Sequence, residues 1–177
     1  MTNDRDSIRF NALRNALYHS ARRRSLERCN RWFNFIVVIL GTAAFGDLLV
    51  MTPIDPRWLG AAVAAVGALQ LVFDFGSQAR DHQLLQRDYY QLLAEVEAVI
   101  DATPEMCADW TGRLTKISAE EPPIFRALDA KAYNDALDAL ETFSQSERIH
   151  IPLYQRLLGG VMSFDGYNYR KRAEISA

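Results

Sequence analysis

The sequence predicts an all-α membrane protein with an N-terminal basic helix, a two-helix transmembrane hairpin and a helical cytoplasmic C-terminal region. Three observations predict this class: two apolar stretches nearly free of charge, an excess of arginine before the first, and apolar residues at helical spacing elsewhere. With 24% charged and 49% hydrophobic residues, the 177-residue chain is too apolar to be disordered. Its two cysteines are too few for a disulfide framework.

The first element, residues 1–31, is predicted to be a basic amphipathic helix in the cytoplasm. Its apolar residues recur at helical spacing, at Phe10, Leu13, Leu17 and Ala21. Neither glycine nor proline interrupts the chain from Thr2 to Leu40. We therefore expect this helix to continue directly into the first apolar stretch.

Arginine placement predicts the orientation in the membrane. Eight arginines and three acidic residues precede Trp32, whereas the turn between the apolar stretches has only Arg57, so both termini are expected in the cytoplasm. Three arginines approach the membrane on one helix face: Arg24, Arg28 and Arg31. Two interpretations stay open, because these side chains either contact lipid phosphates or act only as a topology signal.

Residues 32–51 and 58–75 are the two predicted membrane helices. A helix needs about 20 residues to cross the hydrocarbon core of a bilayer, which is roughly 30 Å thick. The turn between the stretches contains Pro53 and Pro56, so the chain reverses within a few residues. The alternative is a buried hairpin of a soluble protein, because the strictly uncharged part of each stretch is shorter than a usual span.

Small and polar residues mark the faces of these two helices. The small ones permit close helix approach and are Gly41, Thr42, Gly46, Gly60, Ala64, Gly67 and Ala68. They pack the two helices of one hairpin together or form an oligomer contact, and neither interpretation excludes the other. The polar ones are expected to face protein or water and are Asn34, Asp47, Gln70 and Asp74. In antiparallel helices Asn34 lies near the level of Asp74, with Gln70 about a turn deeper, so these residues are expected to hydrogen-bond within the hairpin.

Residues 76–158 form the predicted cytoplasmic region. Its long first helix has apolar residues alternately four and three apart, the period of a coiled-coil seam: Leu85, Tyr89, Leu92, Val96 and Val99. The partner of this seam is either a second copy of the protein or the next helices of the same chain. In the effector hypothesis below, the seam sets the oligomer.

Later helices are predicted from caps and spacing. Thr103 and Pro104 are typical of a helix start, and Pro122 with Pro123 ends that helix. Two further helices are predicted from about Phe125 to Leu140 and from Tyr154 to Leu158. Residues 159–177 are expected to be a frayed tail, and the alternative is that its basic cluster touches anionic lipid.

The sequence contains no catalytic or cofactor motif: it has no GxSxG, no phosphate-binding glycine loop, no HExxH and no CxxC. His19, His82 and His150 are predicted to stand alone as surface or helix-packing residues, because zinc needs three or four converging ligands. We therefore predict a protein that is not an enzyme and uses no cofactor or metal. The acidic excess after Gly76 argues against nucleic-acid binding.

A basic helix, a tight hairpin and a helical cytoplasmic region follow one another along the chain. The segments that carry a family resemblance are Leu13-Arg14 to Tyr18-His19 with Arg22 and Arg23, Leu40-Gly41-Thr42-Ala43-Ala44, the Arg80, His82, Leu85 and Tyr89 series, Glu120-Glu121-Pro122-Pro123, Arg126-Ala127-Leu128-Asp129 and Asn134. Through them the chain resembles the SLATT family of bacterial two-transmembrane proteins over about residues 10–140. None of these motifs is catalytic.

The resemblance implies a membrane effector of bacterial conflict systems. Such domains are encoded beside nucleotide-signalling or nucleic-acid-sensing proteins and permeabilise the inner membrane when activated. This chain has no fused sensor, so the resemblance implies a separate signalling protein or a small ligand.

We therefore predict a defence effector that inserts into the bacterial inner membrane, self-associates and forms pores on activation. Its expected partners are the lipid bilayer, further copies of itself and a separate sensor protein. The alternative is a non-catalytic structural or assembly subunit of a larger membrane complex.

Overall fold

The structure is a computed structural model that describes residues 4–42, 55–140 and 144–175, nearly all of them helical or in short connections. The helices are α1 Asp4–Gly41, α2 Pro56–Phe73, α3 Phe75–Ala98, α4 Pro104–Ser118, α5 Arg126–Ala139, a 3-10 helix Gln145–Glu147, α6 Leu153–Leu158 and α7 Arg172–Ile175. Within these ranges the only extended pairing is an isolated bridge between Ile149 and Lys171. The all-α prediction is confirmed.

The chain divides into two compact units. Met1–Arg23 and Asp81–Ala177 form one, here called the bundle unit, and Arg24–Arg80 form the other, here called the apolar unit. The sequence predicts a separate segment over residues 1–31. Instead, the first 23 residues share a unit with the C-terminal half of the chain, because the apolar stripe of α1 is buried there.

Helix α1 runs for 38 residues without a break. Its continuity agrees with the absence of glycine and proline from this part of the sequence. Asp4 and Asp6 lie in the first turn, where carboxylates interact favourably with the positive end of the helix dipole. The helix therefore belongs to both units, with no loop between its two parts.

The core of the bundle unit surrounds the first part of α1. Three clusters of buried side chains contain α1 residues: Ile8 and Ala12 with Leu92, Val96, Cys107 and Trp110; Phe10 with Ala136, Leu137 and Leu140; and Tyr18 with Leu128 and Ala132. One side of α1 thus packs on α3 and α4, and another packs on α5. Burial of this apolar surface is the main force that holds the four helices together.

The helix boundaries follow local chemistry. The Thr103 hydroxyl accepts a hydrogen bond from the Met106 backbone amide, and Pro104 occupies the first turn, as predicted. Asp55 caps α2 in the same way, with its carboxylate accepting from the Arg57 amide at 2.9 Å. At the other end of α2, Asp74 is left-handed, with φ 36°, and α3 begins at the next residue.

The described C-terminal residues pack inside the bundle unit, against α5 and α6, so the prediction of a frayed tail is wrong. The Ser163 carbonyl accepts from the Arg126 amide, and the Tyr169 hydroxyl donates to Gln155, which is buried. Gly159 permits a close approach here, because a Cβ atom would lie 3.0 Å from that of Ala127 and 2.7 Å from the Gln155 carbonyl oxygen. These contacts join α6 to α5.

One described helical stretch, Gly60–Ala98, is long and apolar enough to cross a membrane by length and composition. None of its most apolar window is buried inside the protein. Of the first predicted membrane helix, residues 32–41 lie in α1, and residues 43–51 are outside the described ranges.

Candidate functional site

A cluster of buried polar side chains lies within the bundle unit. It joins His19 of α1, His82 and Tyr89 of α3, and Glu121 of the connection between α4 and α5. His19 and Tyr89 are fully buried, and the side chain of Glu121 is 8% exposed. Such burial is uncommon for ionisable groups unless hydrogen bonds satisfy them.

Hydrogen bonds connect the four residues in series. The Nδ1 atoms of His19 and His82 are 2.7 Å apart, and His19 Nε2 donates to Glu121 Oε1 at 3.1 Å. The Tyr89 hydroxyl donates to the same carboxylate oxygen. The rings of His19 and Tyr89 also stack, with centroids 5.6 Å apart.

This geometry limits the number of protons in the cluster. Between the two Nδ1 atoms only one proton fits, because one ring must donate and the other must accept. If both rings carried a proton on Nδ1, two N–H groups would face each other with no acceptor between them. The cluster is therefore stable with at most one of the two histidines charged.

Burial and neighbouring groups shift the pKa values of His82 and Glu121. Burial, with smaller contributions from His19 and Arg22, lowers the pKa of His82 from 6.5 to about 4, and Glu121 opposes the shift. Burial acts to raise the pKa of Glu121, but hydrogen bonds from His19 and Tyr89 outweigh it and the pKa is lowered. The carboxyl group is consequently ionised at neutral pH and His82 is neutral.

Tyr89 and Tyr18 both stay protonated: the Tyr89 hydroxyl donates a hydrogen bond, and the Tyr18 hydroxyl accepts one. Burial raises the pKa of Tyr89, and its bond to the Glu121 carboxylate raises it further. Burial likewise raises the pKa of Tyr18, whose hydroxyl accepts from the Phe125 backbone amide at 2.9 Å. Beside it the Arg22 guanidinium lies 3.7 Å from the centroid of the Phe125 ring.

The arrangement suits a structural role, as a buried polar network that fixes how the helices pack. Its ionisable atoms face one another, and no group of three or more metal-ligating side chains able to hold an ion occurs among the described residues. A satisfied buried network of this kind fixes which helix faces meet. The cluster therefore specifies one arrangement of α1, α3 and the connection before α5.

The prediction that the histidines stand alone is wrong for His19 and His82, and it stays a prediction for exposed His150. A signal was present in the spacing, since His82 lies three residues before Leu85 and extends the seam by one position. A histidine on a buried helix face needs a polar partner. Its partner is 63 residues away in the chain, which no local pattern identifies.

The seam itself lies in the core of the bundle unit. Four of its residues are buried, namely Leu85, Tyr89, Leu92 and Val96. Val99, just beyond the end of α3, packs against the cluster that contains Leu92, Val96 and Trp110. Of the two partners that the sequence left open, helices of the same chain cover these residues. The hypothesis that this seam sets an oligomer is therefore wrong for the folded bundle unit.

The polar residues of the apolar unit are partly brought together. Gln70 Nε2 donates to Asn34 Oδ1 at 2.7 Å and lies 3.4 Å from Asn30 Oδ1, so the helix-to-helix bond expected from the sequence is present. Asp74 instead accepts from the Ser77 backbone amide, and the prediction for Asp47 falls outside the described residues. The Asn34–Gln70 bond places the second part of α1 beside α2.

The small-residue faces have little contact within the described chain. A Cβ atom added at Gly41, Gly60 or Gly67 would meet nothing within 4 Å there. Ala64, Ala68 and Thr42 are exposed, and Gly46 lies outside the described residues. The face on α2 is therefore free for a contact beyond the described part of the chain.

The basic residues predicted at the membrane surface are all exposed on α1. Arg28 Nε donates to the Arg24 carbonyl at 3.3 Å, and Arg31 lies 3.8 Å from Glu27. Arg28 and Arg31 share a shallow concavity with Trp32 and Phe35.

Comparison of the chain with protein-family models, with curated proteins and with solved structures finds no match in any of the three. The resemblance to the SLATT family therefore stays a prediction.

Proposed function

We propose that this protein is a membrane-embedded effector without catalytic activity, which self-associates through its apolar unit and permeabilises the bacterial inner membrane when activated. In this proposal, α2 and the second part of α1 belong to a transmembrane hairpin. Both termini and the bundle unit lie in the cytoplasm, where a separate sensor protein or a small ligand acts on the bundle unit.

The exposure of large apolar side chains on the apolar unit is the observation that carries the membrane part of the proposal. On α2, Trp58 is 71% exposed, Leu71 84% and Val72 78%. Each such side chain left in water forgoes about 1.5–3 kcal/mol of transfer free energy. Soluble monomers seldom expose an apolar surface of this kind, and a bilayer would cover it on all sides.

The second part of α1 supports the same location. Trp32, Phe35 and Val38 are all more than half exposed. The polar side chains of Asn34 and Gln70 are hydrogen-bonded to each other among these exposed apolar residues. In hydrocarbon such a bond between helices avoids the cost of two unsatisfied amides.

Self-association is supported by the small-residue face of α2. The positions Gly60 and Gly67 have open space beyond their Cα atoms, and Ala64 and Ala68 of the same helix are exposed. Small residues four apart let helices approach closely in membranes, where van der Waals packing drives association. The permeabilising activity itself rests on the resemblance to the SLATT family.

The test is induced expression in bacteria, with membrane potential followed by a voltage-sensitive dye and the carbonate-resistant membrane fraction measured in the same culture. The native chain is compared with Gly67→Leu and with the matched control Gly112→Leu. Both glycines are inside helices with nothing within 4 Å of an added Cβ in the described chain, so the two positions are matched in local space. An effect confined to Gly67→Leu would come from contacts beyond the described part of the chain.

We expect membrane-inserted native protein and the Gly112→Leu control to depolarise cells, and Gly67→Leu to insert without depolarising them. Equal depolarisation by both variants would show that the small-residue face of α2 is not needed for permeabilisation. To separate a locked effector from an inert subunit, Glu121→Leu is expressed in parallel, because it removes the shared acceptor of His19 and Tyr89. If neither the native chain nor this variant depolarises cells despite abundant insertion, the effector role is rejected in favour of a subunit of a larger complex.

A further inference from the structure

A stripe of two arginines and two aromatic residues runs along one exposed face of α1. Arg28, Arg31, Trp32 and Phe35 occupy positions i, i+3, i+4 and i+7, so their side chains are neighbours on the helix surface. They line one shallow concavity, and the rings of Trp32 and Phe35 meet edge to face with centroids 5.7 Å apart. All four residues belong to the apolar unit.

The two guanidinium groups have charge available for a ligand. The side chain of Arg31 is 80% exposed and its contact with Glu27, at 3.8 Å, is long for an ion pair. Arg28 is exposed, and its Nε donates to the Arg24 carbonyl at 3.3 Å. Guanidinium groups bind phosphate oxygens strongly, often through two bonds at once.

The order of residues along the helix matches the order of groups in a phospholipid. The cationic pair precedes the aromatic pair, and the exposed apolar side chains of Ile36, Val38 and Ile39 follow. In a lipid, the phosphate is followed by the glycerol region and then by acyl chains. Tryptophan prefers the glycerol region, because its ring is apolar and its indole N–H needs a polar partner.

We infer that Arg28, Arg31, Trp32 and Phe35 form a binding site for the headgroup phosphate of an anionic phospholipid at the cytoplasmic surface. The inference rests on the proposed membrane location and adds a specific ligand to it. The arginines bind the phosphate, and the two rings cover the glycerol and upper acyl region. A zwitterionic lipid carries a compensating cation on its headgroup, so it binds more weakly.

The test measures lipid binding to the purified full chain in mild detergent by native mass spectrometry, with phosphatidylglycerol and phosphatidylcholine added separately. The variant Arg28→Gln with Arg31→Gln removes both cations of the stripe. The matched control, Arg57→Gln with Arg87→Gln, removes two other exposed arginines, one of which also precedes an exposed tryptophan. Both double variants change the net charge equally.

We expect the stripe variant to bind phosphatidylglycerol about 30-fold more weakly than the native chain does, since each arginine near a lipid surface contributes roughly a fivefold factor. The control should stay within about threefold of the native chain, and phosphatidylcholine binding should change in neither. Equal losses in both double variants would mean a general charge effect and overturn the site. Unchanged phosphatidylglycerol binding in the stripe variant would also overturn it.

The failure of this inference is distinguishable from failure of the proposed function. Membrane insertion is measured by carbonate extraction of cells expressing the native chain, independently of either arginine pair. A chain that stays in the membrane fraction but has no preference for phosphatidylglycerol overturns the lipid site alone. A chain extracted by carbonate overturns the membrane location and the lipid site with it.

Discussion

Mild acid should destabilise the bundle unit through His82. In the folded protein the pKa of this imidazole is lowered to about 4 by burial first and by His19 and Arg22 in addition, with Glu121 opposing. In the unfolded chain the same group takes up a proton near its ordinary pKa of 6.5. Between these two pH values only the unfolded state binds the proton, so the free energy of unfolding falls as the pH is lowered.

The size of the effect follows from the two pKa values. Their difference of about 2.5 units corresponds to about 3 kcal/mol when the pH is well below 4. At pH 5 the folded state is still mostly unprotonated at His82, and about 2 kcal/mol of the stability present at pH 7.5 is lost. Glu121 contributes only at lower pH, because its pKa lies below the ordinary 4.5.

Urea unfolding of the full chain in detergent micelles measures this loss. Trp32→Phe and Trp58→Phe leave Trp110, which is buried in the core beside α1 and α3, as the single fluorescent reporter. A loss of about 2 kcal/mol moves the urea midpoint by about 1 M between pH 7.5 and pH 5. The two pH values are compared in the native background and in two histidine variants.

The variant His82→Asn keeps an amide near the position of Nδ1 but has no titrating group, so most of the pH dependence should disappear. His150→Asn removes an exposed histidine and should retain the full dependence. The reasoning is refuted if the native midpoint moves by less than about 0.2 M, or if His82→Asn shows the same shift as the native chain.

Two further predictions concern the same unit and use the same unfolding assay. Tyr89→Phe removes a donor to the buried Glu121 carboxylate and should lower the free energy of unfolding by about 2 kcal/mol at neutral pH. The control Tyr90→Phe changes an exposed side chain and should lower it by almost nothing. Equal losses would contradict the buried bond. Gly159→Ala forces a Cβ against the Gln155 carbonyl and Ala127 and should destabilise by about 1–3 kcal/mol. The control Gly112→Ala, in the open middle of α4, should instead stabilise the protein by about 0.5–1 kcal/mol. If Gly159→Ala also stabilised the protein, the close approach of α6 to Ala127 would not require a glycine.

Local sequence patterns predicted the helices well. The uninterrupted α1, the Thr103 cap and the apolar spacing of α5 depend on interactions between residues a few positions apart, which the order of residues reveals directly. A polar contact within the hairpin was also predictable, because counting along two antiparallel helices brings Asn34 near Asp74 and Gln70. The bond forms to Gln70, one turn deeper than the level expected for Asn34.

The buried polar cluster was not predictable in the same way. Its members are separated by 63 and 102 residues along the chain, so their meeting depends on how whole helices pack. The seam illustrates the same limit, since its period indicates that a partner exists but does not identify it. The packed C-terminus was missed because its contacts are single hydrogen bonds, such as those from the Arg126 amide to Ser163 and from Tyr169 to Gln155, with no periodic pattern.

The division of the bundle unit between the two ends of the chain sets an order of events during synthesis. Residues 1–23 leave the ribosome well before the residues they pack against, which start at Asp81. Both apolar stretches emerge in between, so under the proposed location they reach the membrane while α1 still lacks its partners. The His19–Glu121 bond can form only after residue 121 has been made, which makes closure of the bundle unit a late step that follows insertion. A nascent chain stalled before that residue would therefore be anchored but open, with the apolar stripe of α1 accessible to chaperones and proteases.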